Sequence, residues 1–404
     1  MKRLLIFEPN TTSGIKIVNT AKNMGIYVIA VTSENLFKTI YPKDLKNNID
    51  EYVFCNFNNR EENIKDIFKT VKNYGINGVV SGFEFFSDWA ISLAHLLNVP
   101  TNNYKNVEVF RDKLLMSRLF KKYHIPSPKT FTISSSKSEK IQDFPILVKP
   151  SNNAGSFGVI KVNNKKELDL AIKNIKENDT EFPHGFKLNS KIICQEILVG
   201  PEISVEVIAN KGQFHLLAFT EKITTKGKYS AELGHIIPAP IDKYKSFEIL
   251  DNVFSAMRVM GFINGVAHAE LIITNNGPRI IEIGARLPGD FIPDLLEKAL
   301  GINEAKLYIE SVMGNDINIK HTKEGFAGIK FITTNKRIKF KKISCTNQLS
   351  NDTSLLIYSK KGDIINPTHD NMSRIGHIST YSDSYLQLIN KLNIESNKLF
   401  LESD

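Results

Sequence analysis

The chain has 404 residues, 42% hydrophobic and 24% charged, with a net charge of +9. That length allows two to four domains with a substantial core, and the composition excludes a disordered or fibrous chain. The basic residues are spread out with no basic arm or zinc-finger spacing, so the charge suits an anionic small ligand and nucleic acid is not an expected partner.

The N-terminus, MKRLLIF, is basic and then only briefly apolar, too short for a signal segment. Residues 1–105 alternate strand and helix, with strands at Arg3–Phe7, Tyr27–Thr32, 52–54 and Gly78–Ser81 and helices following the first, at 61–74 and at 87–97. Such alternation predicts a Rossmann-like parallel sheet with right-handed crossovers. The first loop, EPNTTSG, lacks the GxGxxG fingerprint of a dinucleotide site, which disfavours an NAD-dependent dehydrogenase. The domain reads as a scaffold holding one wall of a cleft, with Glu84 at a strand's C-terminal end as a substrate-side candidate.

Residues 106–123 read as one helix carrying Lys113, ended by HIPSP. The strand 145–150, PILVKP, then sets Lys149 in an apolar run, and a buried ammonium needs an anion. The loop after it, SNNAGSFG, can bring backbone N–H groups close to phosphates, with Ser151 and Ser156 as further donors and Gly155 and Gly158 allowing close approach. Its alternative is an ordinary hairpin turn. It is not a Walker A loop, which needs GxxxxGK[ST] leading into a helix.

A polar helix at 165–178 precedes a strand at 191–198, KIICQEIL, and an alternating strand at 203–208. Glu196 and Leu198 could present backbone groups to a purine edge, and Glu202 a carboxylate to ribose hydroxyls; the plain alternative is a turn with surface acids. Residues 219–238, rich in glycine and lysine, read as a mobile loop containing His235.

The stretch 265–290, GVAHAELIITNNGPRIIEIGARLPGD, predicts a hairpin with strands 266–274 and 279–283 around an Asn-Asn-Gly-Pro turn. Folding it brings Glu270 and Glu282 close to opposite one another. Facing carboxylates repel unless a cation lies between them, and hard oxygen ligands suit Mg²⁺; the alternative is two solvated acids on an outer face. Arg286 adds a planar cation suited to phosphate oxygens. His268 shares a strand face with Glu270 and could bond near a metal or simply pack. Gly289 and Asp290 follow in a loop where Asp290 could meet a substrate amino group. Helices at 291–300 and 305–313 come next, and short strands with a final helix at 385–392 predict a small C-terminal subdomain. Cys55, Cys194 and Cys345 form no CxxC, as expected in a reducing cytoplasm. No run approaches the roughly 20 apolar residues of a membrane span, so no membrane partner is expected.

Taken in order, PILVKPSNNAGSFGV, QEILVGPEISVEV, GVAHAEL and IEIGARLPGD resemble the ATP-grasp superfamily, and within it the L-amino acid ligases, carboxylate–amine ligases that form dipeptides. The resemblance covers nearly the whole chain. It implies an α/β (α+β ATP-grasp) fold: an N-terminal domain over 1–105, linker helices and lid over 106–200, a large domain over 201–322 and a C-terminal subdomain over 323–404. It implies that Lys113 and Lys149 contact ATP phosphates under a Ser151–Gly158 lid, that Glu196 and Leu198 meet adenine and Glu202 the ribose, and that Glu270 and Glu282 hold Mg²⁺ (or Mn²⁺). Arg286 would stabilise the transferring phosphoryl, and His235 would recognise a substrate carboxylate or assist the amine. The superfamily usually has E-x-N-x-R; here Gly284 replaces the Asn. The implied reaction joins two small substrates, amino acids, through an acyl phosphate, and the implied assembly is a homodimer. Alternatives are a bicarbonate-using or purine-biosynthetic relative, or a degenerate nucleotide-binding module.

Overall fold

A computed structural model of the chain describes residues 1–133, 143–155, 157–181, 183–185, 188 and 191–404. Strands β1 (Arg3–Phe7), β2 (Tyr27–Thr32), β3 (Glu51–Phe54) and β4 (Gly78–Ser81) form a parallel sheet in the order β3-β2-β1-β4. Successive residues point to opposite faces, and both faces are covered, which explains the unbroken apolar runs. Leu4, Ile6, Val28 and Ala30 pack with Ile17, Val18 and Ala21 of the helix Thr12–Asn23. Leu5, Phe7, Ile29 and Val31 pack with Ile64, Ile67 and Leu93 on the other side. A 3-10 turn, Glu84–Phe86, follows β4 and sets Glu84 at the C-terminal edge of the sheet, where α/β folds place ligands.

The helix expected over 106–123 is split. A 3-10 segment, Tyr104–Phe110, precedes the helix Lys113–Lys122. Asp112 has extended backbone, and its carboxylate accepts from Leu114 N and Leu115 N, so it starts a new helix instead of continuing one. Lys113 therefore lies in a first turn. Strands β5 (Thr130–Ile133), β6 (Ile146–Pro150), β7 (Ile160–Val162) and β8 (Ile192–Glu196) form an antiparallel sheet, order β5-β8-β6-β7, covered by Leu168, Ala171, Ile172 and Ile175 of the helix Lys165–Glu177.

The largest sheet uses β9 (Glu202–Asn210), β10 (Gln213–Thr224), β11 (Glu232–Ile237), β12 (Gly265–Thr274), β13 (Gly277–Gly284) and β14 (Phe326–Ile332). After β15 (Ile338–Cys345) come β16 (Ser354–Ile357), β17 (Ile364–Ile365), β18 (Gly376–Ser382) and β19 (Leu399–Ser403). The order is β13-β12-β9-β10-β11-β14-β18-β16, while β15, β17 and β19 form a small separate sheet. Strand pairing thus crosses position 322, because β14 pairs with β11, and much of 323–404 extends the large sheet. The mobile loop expected over 219–238 is mostly strand: β10 and β11 pair with each other and with β9 and β14, burying Phe219, Thr220, Ile236 and Ile237.

Candidate functional site

The hairpin forms with a tighter turn than its sequence suggests. Thr274 pairs with Gly277, so Asn275 and Asn276 alone make the turn, and Gly277 takes φ +89°. Alternation along β12 sends Ala267, Ala269 and Leu271 into a core with Val253 and Met257 of the helix Lys243–Met260. His268, Glu270 and Ile272 are left facing a cleft of about 480 Å³. Glu270 and Glu282 are direct cross-strand partners, and a register shift beyond them leaves Ile281 unpaired, so that Ile281 and Glu282 both line the cleft.

Cations converge on this pair from three elements. Lys113 Nζ lies 2.7 Å from Glu282 and donates to Asn153 O at 2.7 Å, tying the loop after β6 to the site. Glu84 holds Arg286 at 2.5 Å, Arg111 at 3.1 Å and Lys113 at 3.7 Å. Burial alone would raise the Glu84 pKa, but the charges of Arg286, Lys113 and Arg111 outweigh it and hold the carboxyl ionised. Glu84 thus aims Arg286, whose Nε is buried with no partner among the described residues. Lys149 is 4% exposed; burial pulls its pKa down to about 8, against the opposing pull of Glu282. Lys222, which is also buried, sits 2.7 Å from Glu270, 2.7 Å from Glu232 and 3.2 Å from Glu202.

These donors fit a divalent cation. The Glu282 carboxyl is raised, by burial first and then by Glu84 and Glu270, against the opposing charge of Lys113. Two carboxylates in register that repel one another are a hard-oxygen donor set of the kind that holds Mg²⁺. Glu270 and Glu282 would hold it, and it would neutralise charge on phosphate groups. A Cβ at Gly284 would meet only Arg286, at 3.8 Å, so steric room does not dictate the glycine there.

The far end of the cleft carries a second cluster. His235 is fully buried, with Nε2 3.2 Å from Asp290 and 3.6 Å from Glu232. Arg374 pairs with Asp290 at 2.7 Å and donates to the Glu232 carbonyl at 3.0 Å, its guanidinium 3.6 Å from the Phe331 ring centre. Burial would raise the Asp290 carboxyl, but hydrogen bonding to His235 and Glu232 and the charge of Arg374 hold it well below the usual range. Asp290 and Phe291 both adopt left-handed backbone, φ +56° and +61°, a strained pair that fixes where the carboxylate points.

Of the residues singled out from sequence, Glu84, Lys113, Lys149, Gly155, Glu202, His268, Glu270, Glu282, Arg286, Gly289 and Asp290 line the cleft together. His235 lies behind the wall, reaching it through Asp290 and Glu232. Ser151 is buried below the loop, its N–H donating to Lys191 O and its carbonyl accepting from Lys113 N. A Cβ added at Gly158 would lie 3.1 Å from the Pro150 ring, and Gly158 is not among the lining residues. Glu196 accepts from Lys129 N at 2.9 Å, and neither it nor Leu198 lines the cleft. Ser156 lies outside the described residues.

Sequence reasoning missed Lys222, Glu232, Arg111 and Arg374. Lys222 carried the same signal as Lys149, a lysine inside a buried strand, masked by the Gly- and Lys-rich residues after it. Glu232 stands three positions before His235. Arg374, 84 residues beyond Asp290, carried no local signal.

Residues 142–294 match the ATP-grasp domain model. The chain is 26% identical over 269 residues to dapdiamide A synthase of Enterobacter agglomerans, covering 62% of this chain and 60% of that protein. It is 27% identical over 235 residues to a D-alanine–D-alanine ligase of Flavobacterium johnsoniae, covering 54% of this chain and 69% of that one. Among solved structures, an L-amino acid ligase from Bacillus licheniformis superposes with a TM-score of 0.83 at 21% identity, over 100% of this chain and 99% of that one. Domain match and fold agree: residues 142–294 are an ATP-grasp domain, set in a chain that shares its overall fold with that solved ligase.

Proposed function

We propose that the protein is an ADP-forming carboxylate–amine ligase that joins two small substrates, L-amino acids, through an acyl phosphate. The observation that carries this reading is the in-register Glu270–Glu282 pair in a cleft with two chemically different ends. One end gathers Lys113, Lys149 and Arg286, suited to a triphosphate; the other gathers Glu232, Asp290 and Arg374, suited to a zwitterion.

ATP would lie between the two antiparallel sheets. Lys113 and Lys149 would contact its phosphates, with the backbone around Gly155 above them. Leu147, Ile272 and Ile281 offer an apolar wall for adenine near the Glu196–Leu198 strand end, and Glu202 a carboxylate for the ribose. Mg²⁺ at Glu270 and Glu282, replaceable by Mn²⁺, would supply charge neutralisation. A substrate carboxylate attacks the γ-phosphorus, breaking its bond to the ADP oxygen; Arg286, held by Glu84, stabilises the charge on the transferring group. The amine of the second substrate then attacks the acyl carbon and expels phosphate. Asp290 and Glu232 would receive an ammonium group, with His235 behind them. Closure of the loop after β6 would keep water from the acyl phosphate. A cytoplasmic homodimer formed through the N-terminal domain extends this reading, and light scattering tests the dimer.

The test is phosphate release from Mg-ATP across pairs of L-amino acids, with each amino acid alone and bicarbonate alone as controls. Release that needs a pair and is lost in Glu282→Ala supports the ligase. Release with bicarbonate alone supports a carboxylating relative, and ADP binding without any release supports a nucleotide-binding module.

A further inference from the structure

Behind the paired acids lies a row of buried polar side chains on the same sheet face. Glu206 and Ser204 on β9, Thr220 on β10 and His268 on β12 are neighbours across the ladders: His268 pairs with Glu206, Glu270 with Ser204, and Thr220 with Ser204. Glu206 has no exposed surface, and a carboxylate there is costly unless its oxygens are satisfied. They are: Ser204 Oγ donates at 2.7 Å, Thr220 Oγ1 at 2.9 Å, and His268 Nδ1 lies 2.8 Å away. The other ring nitrogen, Nε2, is 3.3 Å from Glu270 Oε1, the same oxygen that Lys222 contacts.

We infer that Glu206 is a positioning residue for metal binding, acting on Glu270 through His268. The inference rests on the reading of Glu270 as a metal ligand. Glu206 fixes the ring so that Nε2 meets Oε1; His268 and Lys222 together pin that oxygen, which leaves the other for a cation. A carboxylate free to rotate would alternate between its partners and bind a cation less well, which is how groups behind the ligands tune metal affinity. The sequence offers no motif for this, since Glu206 is 62 residues from His268, but the antiparallel register makes them adjacent.

The test is Mn²⁺ titration into the full chain with ADP, read as loss of the free Mn²⁺ signal in electron paramagnetic resonance, on wild type, Glu206→Gln, His268→Gln and the double variant. ADP affinity without metal and the melting temperature are followed in parallel. Both single variants are expected to weaken Mn²⁺ by about 10- to 100-fold, with metal-free ADP affinity unchanged in Glu206→Gln. The double variant should be no weaker than His268→Gln, because Glu206 acts through the ring. Glu206→Gln keeps the side-chain volume and still decides the matter if His268→Gln does not fold. Wild-type Mn²⁺ affinity in Glu206→Gln, or losses that simply add in the double variant, overturns the inference. No Mn²⁺ binding by the wild type overturns the metal reading itself and this inference with it.

Discussion

Lys222 on β10 reaches past β9 to set its ammonium 2.7 Å from Glu270 on β12, two strands away in the sheet. Glu202, its cross-strand partner, and Glu232 complete a cage of three carboxylates around one buried cation. Burial would lower the Lys222 pKa, yet the three acids raise it well above its ordinary value, so it remains charged at any working pH. Lys222→Met would leave three carboxylates without the cation they share. The expected cost is about 3–5 kcal/mol, as when one partner of a buried pair is removed. The acids would then hold protons more tightly in the folded chain than in the unfolded one. Stability of the variant would therefore fall as pH rises above the ordinary carboxyl range. Urea unfolding at pH 5 and pH 8 checks both parts, and an equal deficit at the two values contradicts the cage.

How far the site could be read in advance follows from the range over which its parts interact. That Glu270 and Glu282 lie close to opposite one another was legible because an Asn-Gly turn acts over a few residues, while their direct pairing also needs the two-residue turn and the shift at Ile281. Lys149 was legible as a charge in an apolar run. Lys222 sent the same signal, but the residues after it, Thr225 to Ala231, look like a loop, and only pairing with β9 and β14 shows that the flanks are strand. Arg374 and Glu206 owe their places to ladders joining distant segments, which no local pattern encodes. The pairing of β14 with β11 across position 322 is long-range and was not legible for the same reason.

Lys149 gives the site a pH dependence. Burial lowers its pKa to about 8, and Lys113 adds to the effect, while Glu282, Glu270 and Glu202 oppose it. The protonated form is the one that meets a phosphate, and its share falls as pH rises through that value. A bound phosphate would hold the proton, so ADP affinity is expected to drop about tenfold from pH 7 to pH 9, following the protonated fraction of the free protein. Lys149→Met should bind weakly and show no such slope. Calorimetric titration at fixed ionic strength checks this, and a flat wild-type profile would remove Lys149 from the phosphate contacts.

Arg374 lies outside the family domain yet bonds both acids at the far end of the cleft. Removing a charged hydrogen-bond partner costs about 1.5–3 kcal/mol, roughly 10- to 150-fold in affinity. Arg374→Gln is therefore expected to raise KM for the amino acid substrate by that order and to leave ADP affinity unchanged. Steady-state kinetics with each substrate varied in turn separates the two. Loss of nucleotide affinity in this variant would mean that Arg374 supports the fold of the whole cleft and not its substrate end.

Glu304 opens the helix Glu304–Val312, is fully buried, and has no hydrogen-bond partner for either oxygen among the described residues. Burial raises its pKa well above the ordinary carboxyl value, and the nearby charge of Glu206 raises it further. The folded chain thus keeps a proton that the unfolded chain releases once pH exceeds about 4.5. Stability must fall with rising pH across that interval, because the unfolded state binds fewer protons. Glutamine has the shape of the neutral acid and no proton to lose. Glu304→Gln is therefore expected to melt above the wild type at pH 8, with the difference closing near pH 4, in thermal scans at matched salt. A variant that melts lower at pH 8 would mean that the carboxyl is ionised in the folded protein, and that its neighbours His268 and Lys16 offset more charge than burial costs.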